Sequence, residues 1–175
     1  MVDDKPLMGF QSSAFGLISL GNSFMLQPSV GYYAKGNRIA NLTFEDQLGN
    51  DIGKGTMSFR LDYVELAIPV HYRIADNDVK LFTGLGPYFS YAAGGKELWK
   101  NVSGTPGNEP KKRPITFGDN GVKRFDAGFI VSLSAEIRDH WMAAMSYEYG
   151  VINTNSQGVA SHNLSAGLTI GYLFK

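Results

Sequence analysis

The sequence has no cysteine, which rules out disulfide frameworks, thiolate metal sites and cysteine nucleophiles. Neither sign of charge dominates: 16 Lys and Arg stand against 16 Asp and Glu. A formal net charge of zero gives no bulk attraction for nucleic acid, and none is expected as a partner. No stretch approaches the ~18 consecutive apolar residues that a membrane-crossing helix needs. The opening residues Met1-Val2-Asp3-Asp4-Lys5-Pro6 lack the charged-then-apolar order of a secretory signal. Helical spacing of apolar residues is scarce as well. What is abundant is glycine, 21 of 175 residues, and aromatic side chains at 13%, a composition suited to strands and turns. The length predicts one domain, residues 1–175.

Period-2 alternation is the dominant pattern and predicts seven strands. Leu7–Leu20 alternates poorly and is assigned on its Phe, Ile and Leu content. Ser23–Lys35 sets Phe24, Leu26, Val30 and Tyr32 against Met25, Gln27, Ser29, Gly31 and Lys35. Leu61–Ile74 sets Val64, Leu66, Ile68, Val70 and Tyr72 against Glu65, His71 and Arg73, and Val79–Tyr91 follows with Leu81, Leu85, Phe89 and Tyr91. Arg124–Arg138 is the cleanest, with Phe125, Phe129, Val131, Leu133 and Ile137 opposite Asp126, Ser132, Ser134, Glu136 and Arg138. Trp141–Val151 and Asn163–Phe174 repeat the pattern. Pro28, Pro69 and Pro87 fall inside these strands, so bulges or local defects are expected there.

Connections alternate in length. Gly21-Asn22, the turn 75–78 and Asp139-His140 are tight, whereas Gly36–Arg60, Ala92–Lys123 and Ile152–His162 are long and are expected to be loops. Short turns at one end and long loops at the other is the layout of an outer-membrane barrel. An even strand count then predicts one further strand before Leu7, with Met1–Pro6 lying in the first long loop and the first strand truncated from this sequence. The expected fold is all-β, an antiparallel up-and-down transmembrane barrel of eight strands, seven of them visible.

Alternation does not say which face points inward; a soluble lipocalin-like barrel would bury the apolar one. Two features favour the inverted arrangement. The polar face is built from Gly, Ser, Ala and Thr with a few charges of both signs, which suits the crowded interior of an eight-stranded barrel. Aromatics also cluster at both ends of the apolar face: Phe24, Tyr72, Trp141, Tyr172 and Phe174 on the turn side, Tyr32, Tyr91, Phe125 and Tyr149 on the loop side. Phe24 to Tyr32 and Trp141 to Tyr149 are each eight residues apart, roughly 20 Å along the membrane normal at a strand tilt of about 40°. Two aromatic girdles at that spacing suit a bilayer, so outer-membrane lipid is the first expected partner.

Glu65, Arg73, Asp126, Glu136, Arg138 and Glu148 all fall on the inferred inner face. Charges enclosed in a lumen must pair, so these residues predict a salt-bridge plug, with a proton or ion path as the alternative. The three histidines, His71, His140 and His162, share no metal spacing, and neither a metal nor a cofactor is expected. Since some outer-membrane barrels modify lipid A, Ser161, His162 and Glu148 are a candidate triad, but nothing fixes their geometry and no catalytic residue is assigned. Segment 92–123 is basic, with Lys96, Lys100, Lys111, Lys112, Arg113 and Lys123, and could meet lipopolysaccharide phosphates or a protein.

Several short motifs in a fixed order resemble the PorT-like outer-membrane β-barrel family of Bacteroidetes-type bacteria. They are Tyr63-Val64-Glu65-Leu66-Ala67-Ile68-Pro69, Gly84-Leu85-Gly86-Pro87-Tyr88, Phe125-Asp126-Ala127-Gly128, Tyr147-Glu148-Tyr149-Gly150 and the closing Gly171-Tyr172-Leu173-Phe174. The resemblance runs from Leu7 onward; the family commonly carries Tyr-Leu-Glu-Ile-Pro, two residues shorter than the first motif, a difference that preserves facing. A lumen filled by side chains makes a non-enzymatic membrane anchor presenting extracellular loops the expected role, and the resemblance adds to it a part in secretion or envelope assembly. The closing strand resembles the signal by which such barrels engage the assembly machinery.

Overall fold

The computed structural model describes residues 3–45, 51–100, 111–119, 121–156 and 160–174. Twelve strand segments form a single curled antiparallel sheet: β1 (Asp3–Pro6), β2 (Gln11–Phe15), β3 (Ile18–Ser19), β4 (Phe24–Leu26), β5 (Ser29–Glu45), β6 (Asp51–Ala67), β7 (Val70–Asp76), β8 (Val79–Lys100), β9 (Lys111–Pro114), β10 (Phe125–Ile137), β11 (Trp141–Gly150) and β12 (Leu164–Tyr172). Segments β1–β3, β4–β5 and β6–β7 are three interrupted strands, so seven long strands follow one another round the sheet. β12 pairs with β11, β1 and β2 pair with β5, and β3 pairs with β4; among the described residues no backbone hydrogen bond joins these two outer edges. Side chains do meet across the seam, where the Gln11 amide donates to the Thr169 hydroxyl.

The prolines explain the interruptions. Strand β4–β5 breaks at Gln27-Pro28 and strand β6–β7 at Ile68-Pro69, while Pro87 lies in the unbroken β8. The breaks share their hydrogen bonds: Gly16 N donates to Pro28 O (2.9 Å), Gln27 N to Pro69 O (3.0 Å) and Ile68 N to Pro87 O (3.0 Å). A residue's N–H and C=O point to the same neighbour in an antiparallel ladder, so the donor Pro87 lacks would have pointed at the Ile68-Pro69 break. The defect expected at Pro87 is thus absorbed by the next strand, and Pro87 still registers opposite Phe129 of β10.

The apolar face points outward. Phe129, Leu133, Leu168 and Ile170 are exposed, the last two at 78% and 79%, while Glu136, Ser134 and Met142 are buried. This is the membrane arrangement, and the lipocalin-like packing does not occur. All nine girdle aromatics lie on the outer surface. On the loop side Tyr32, Val64, Tyr91 and Phe125 are successive cross-strand partners, forming one row across four strands. On the turn side Phe24 pairs with Tyr72 and Trp141 with Tyr172, with ring centroids 5.1 and 5.4 Å apart.

The long segments expected to be loops are in large part strand. β5 runs to Glu45, β6 begins at Asp51, and β8 continues to Lys100, where β9 pairs with it. Beyond the girdle row the outward positions become Arg38 on β5, Arg60, Ser58 and Thr56 on β6, and Lys96 and Lys100 on β8. Several inward positions become apolar: Leu61 and Ile115 both lie against Gly95, where an added Cβ would come within 3.0 Å of each. Polarity inverts as the strands leave the bilayer. On β8 the sequence alternation slips by one residue. Tyr63 registers with Ala92 but Asp62 with Gly94, leaving Ala93 as a bulge that flips every later β8 side chain to the opposite face.

Candidate functional site

Among the described residues, the lumen is where polar side chains converge away from water. Its upper half is organised by Lys35, near the outer end of the membrane part of β5 and facing inward in step with Tyr33 and Gly31. The Lys35 ammonium lies 2.7 Å from Glu65 Oε2 of β6 and 2.7 Å from Glu148 Oε2 of β11, and all three side chains are almost wholly enclosed. Ser90 donates to Glu65 and Ser165 to Glu148, each at 2.6 Å. The rings of Tyr88, Tyr63 and Tyr33 surround the same ammonium at 4.6, 5.6 and 5.7 Å, adding cation–π attraction where water is excluded.

A second cluster needs no cation. Asp126 is fully buried and accepts from Tyr88 OH (3.0 Å) and Asn163 Nδ2 (2.8 Å), and the same Asn163 amide reaches Tyr63 OH at 3.1 Å. Together the two clusters join β5, β6, β8, β10, β11 and the start of β12 across the barrel axis. Buried charges are costly unless paired and hydrogen-bonded; Glu65 and Glu148 have both, Asp126 has hydrogen bonds alone, and Glu65 Oε1 and Asp126 Oδ1 have no partner among the described residues.

Below it lies a small cavity of about 80 Å³ bordered by His71, Ser132, Ser134, Met142 and Thr169. The His71 ring nitrogens and the Ser132 and Ser134 hydroxyls have no partner among the described residues. Gly84 makes this packing possible, because a Cβ there would stand 2.5 Å from Ser132 Oγ and 2.7 Å from His71 Cε1. At the turn-side rim, Lys80 bridges Glu136 (3.2 Å) and Asp139 (2.6 Å), and Arg73 pairs with Asp76 and the carbonyl of Asn22.

Of the six charged residues assigned to the lumen, Glu65, Asp126, Glu136 and Glu148 are buried there. Arg73 and Arg138 need correction. Arg73 sits half-buried at the rim and turns to Asp76 in the tight turn that follows it. Arg138 follows the end of β10 in the left-handed backbone region (φ 51°) and is exposed, because the hairpin has already begun to reverse there. The central cation is instead Lys35. Its inward facing was legible from alternation, but pairing it with residues 30 and 113 positions away requires the cross-strand register.

The candidate triad does not assemble. Glu148 is held in the lumen by Lys35 and Ser165, whereas Ser161 and His162 are exposed in the segment before β12. Over the mouth, Lys123 N donates to Thr154 O and Ser156 Oγ to Gly118 O, so segments 115–123 and 152–156 fold against each other above the network. No curated protein and no solved structure matches the chain. The family model described as "Outer membrane protein beta-barrel domain" matches residues 2–156, and with the outward apolar face, the two girdles and the ionic lumen it shows that the chain belongs to the outer-membrane-protein β-barrel family and resides in the outer membrane.

Proposed function

We propose that this protein is a non-conducting, non-enzymatic outer-membrane anchor that displays an extended extracellular sheet for interaction. The observation that carries this reading is the lumen network: Lys35 held between Glu65 and Glu148 and walled by Tyr63 and Tyr88 sets enclosed side chains across the upper barrel. An eight-stranded or smaller cylinder has room for little besides such side chains. The projecting β5–β6–β8–β9 sheet is then the part available to partners outside the cell. Its test is reconstitution of the refolded chain in a planar bilayer. Insertion without unitary current is expected, and stepwise ion currents at moderate voltage would sink the anchor reading in favour of a pore.

The narrower assignment rests on the PorT-like motifs and is a role in secretion or envelope assembly. Deleting the gene should alter the set of proteins at the cell surface, and an unchanged surface would leave only the anchor. The partner proposed for membrane insertion is the barrel-assembly machinery. It would meet the closing strand, where one edge of β12 has no strand partner among the described residues and Phe174 is 92% exposed. No observation favours lipid A chemistry at Ser161 and His162.

A further inference from the structure

The outward face of the projecting sheet carries a cluster of cations that the anchor reading does not use. Arg60 of β6 registers directly opposite Lys96 of β8. One row further out, Arg38, Ser58, Leu98 and Lys112 are successive cross-strand partners over β5, β6, β8 and β9, and Lys100 follows opposite Thr56. These side chains line one recess of about 420 Å³. Of the five cations, only Arg60 meets a carboxylate among the described residues, Asp62 at 3.9 Å.

The position of the cluster is as informative as its charge. Arg38 is six residues beyond Tyr32 on β5 and Arg60 four beyond Val64 on β6, both even steps from the girdle row and therefore on the same outer surface. At about 3.3 Å per residue and a tilt of about 40°, the cations stand roughly 10–20 Å above the girdle. That surface faces laterally, towards neighbouring lipid rather than the barrel mouth. The Ala93 bulge is what brings Lys96 and Lys100 to it, since were Ala93 to take a regular place opposite Asp62 both would point inward.

We propose that this recess binds the phosphate groups of a phosphorylated glycolipid in the outer leaflet, through Arg38, Arg60, Lys96, Lys100 and Lys112. The inference rests on the outer-membrane reading and adds a ligand to it. Multiple cations around one concavity suit multiply charged phosphate, which each meets with a charge-assisted hydrogen bond. An acyl-anchored ligand also gains from the adjoining apolar surface of Tyr32, Val64 and Tyr91, which a free anion cannot use.

The test uses the full chain refolded into phosphatidylcholine vesicles, with heat-modifiable gel mobility as the measure of folding. Co-purification and quenching of labelled bis-phosphorylated lipid A are compared with its dephosphorylated form. Phosphate-dependent association is expected, and it should weaken at least about tenfold in R38Q/R60Q/K96Q/K112Q and on raising salt, while folding is retained. K111Q/R113Q, on the opposite face of β9, should leave it unchanged. Equal association of the two lipids overturns the proposal. So does free pyrophosphate binding as tightly as the lipid, which would assign the recess to a soluble anion, or poly-glutamate binding in preference to it, which would assign it to an acidic protein. A chain that never becomes heat-modifiable in vesicles contradicts the outer-membrane reading itself, whereas a folded chain indifferent to phosphate contradicts only the ligand.

Discussion

Below the outer girdle the sheet turns rings and aliphatic chains outward and ionic groups inward; above it the same β5, β6 and β8 turn Arg38, Arg60 and Lys96 outward and Leu61 inward. Backbone geometry and pairing are the same in both regions, so the strands themselves do not choose a polarity. The surroundings do. Hydrocarbon outside admits no charge, and a narrow lumen admits charge only in satisfied networks. Water outside reverses both demands, and an apolar inner face then gains from being buried.

The comparison is most exposed to failure at the lumen. Replacing Lys35 by Met leaves Glu65 and Glu148 buried together without their shared cation, and should cost about 3–5 kcal/mol of stability. Urea unfolding in detergent micelles followed by tryptophan fluorescence would read the loss. Most of it should return in K35M/E65Q/E148Q, and a K35M chain as stable as wild type would show that the network contributes little. On the lipid side, Leu133→Arg places a charge midway along β10 on the hydrocarbon face and should cost about 2–4 kcal/mol, measured in the same way in vesicles. A neutral result there would mean that this face does not meet hydrocarbon.

Smaller effects mark the boundaries. Trp141→Ala removes a girdle ring that packs edge-on against Tyr172, and a loss of about 1 kcal/mol in the unfolding midpoint is expected. In the projecting sheet Arg60→Leu should change stability by less than about 1 kcal/mol, since the residue is partly exposed and its one ion pair is long. A large change at Arg60 would mean that the projecting sheet is coupled to the membrane part more tightly than the polarity change implies.

Legibility in the sequence follows the same division. β10, β11 and β12 were readable almost residue for residue, because each is an uninterrupted strand with hydrocarbon on one side and small polar groups on the other. Leu7–Leu20 was poorly readable because it holds only two short segments, β2 and β3. The projecting strands were read as loops for two reasons: Gly36, Asn41 and Gly55 imitate turns, and the alternation changes sense on leaving the membrane. Asn41 does adopt a left-handed backbone (φ 59°), but at a register shift within β5 rather than at a turn. In the lumen, period 2 identified the acids Glu65, Asp126, Glu136 and Glu148 as inward. It could not say which cation reaches them, because height along the barrel depends on how neighbouring strands are staggered.

The bulge at Ala93 gives the molecule's exterior a residue of slack at the membrane boundary. Removing that codon would join inward Ala92 to outward Gly94 in a regular ladder, so Lys96 and Lys100 would stay on the flank and Glu97 and Trp99 over the mouth, with the bilayer-embedded portion untouched. A deletion further along the distal strand, if the bulge stayed, would exchange the two sides instead, so the place where length is lost decides whether the surface chemistry survives.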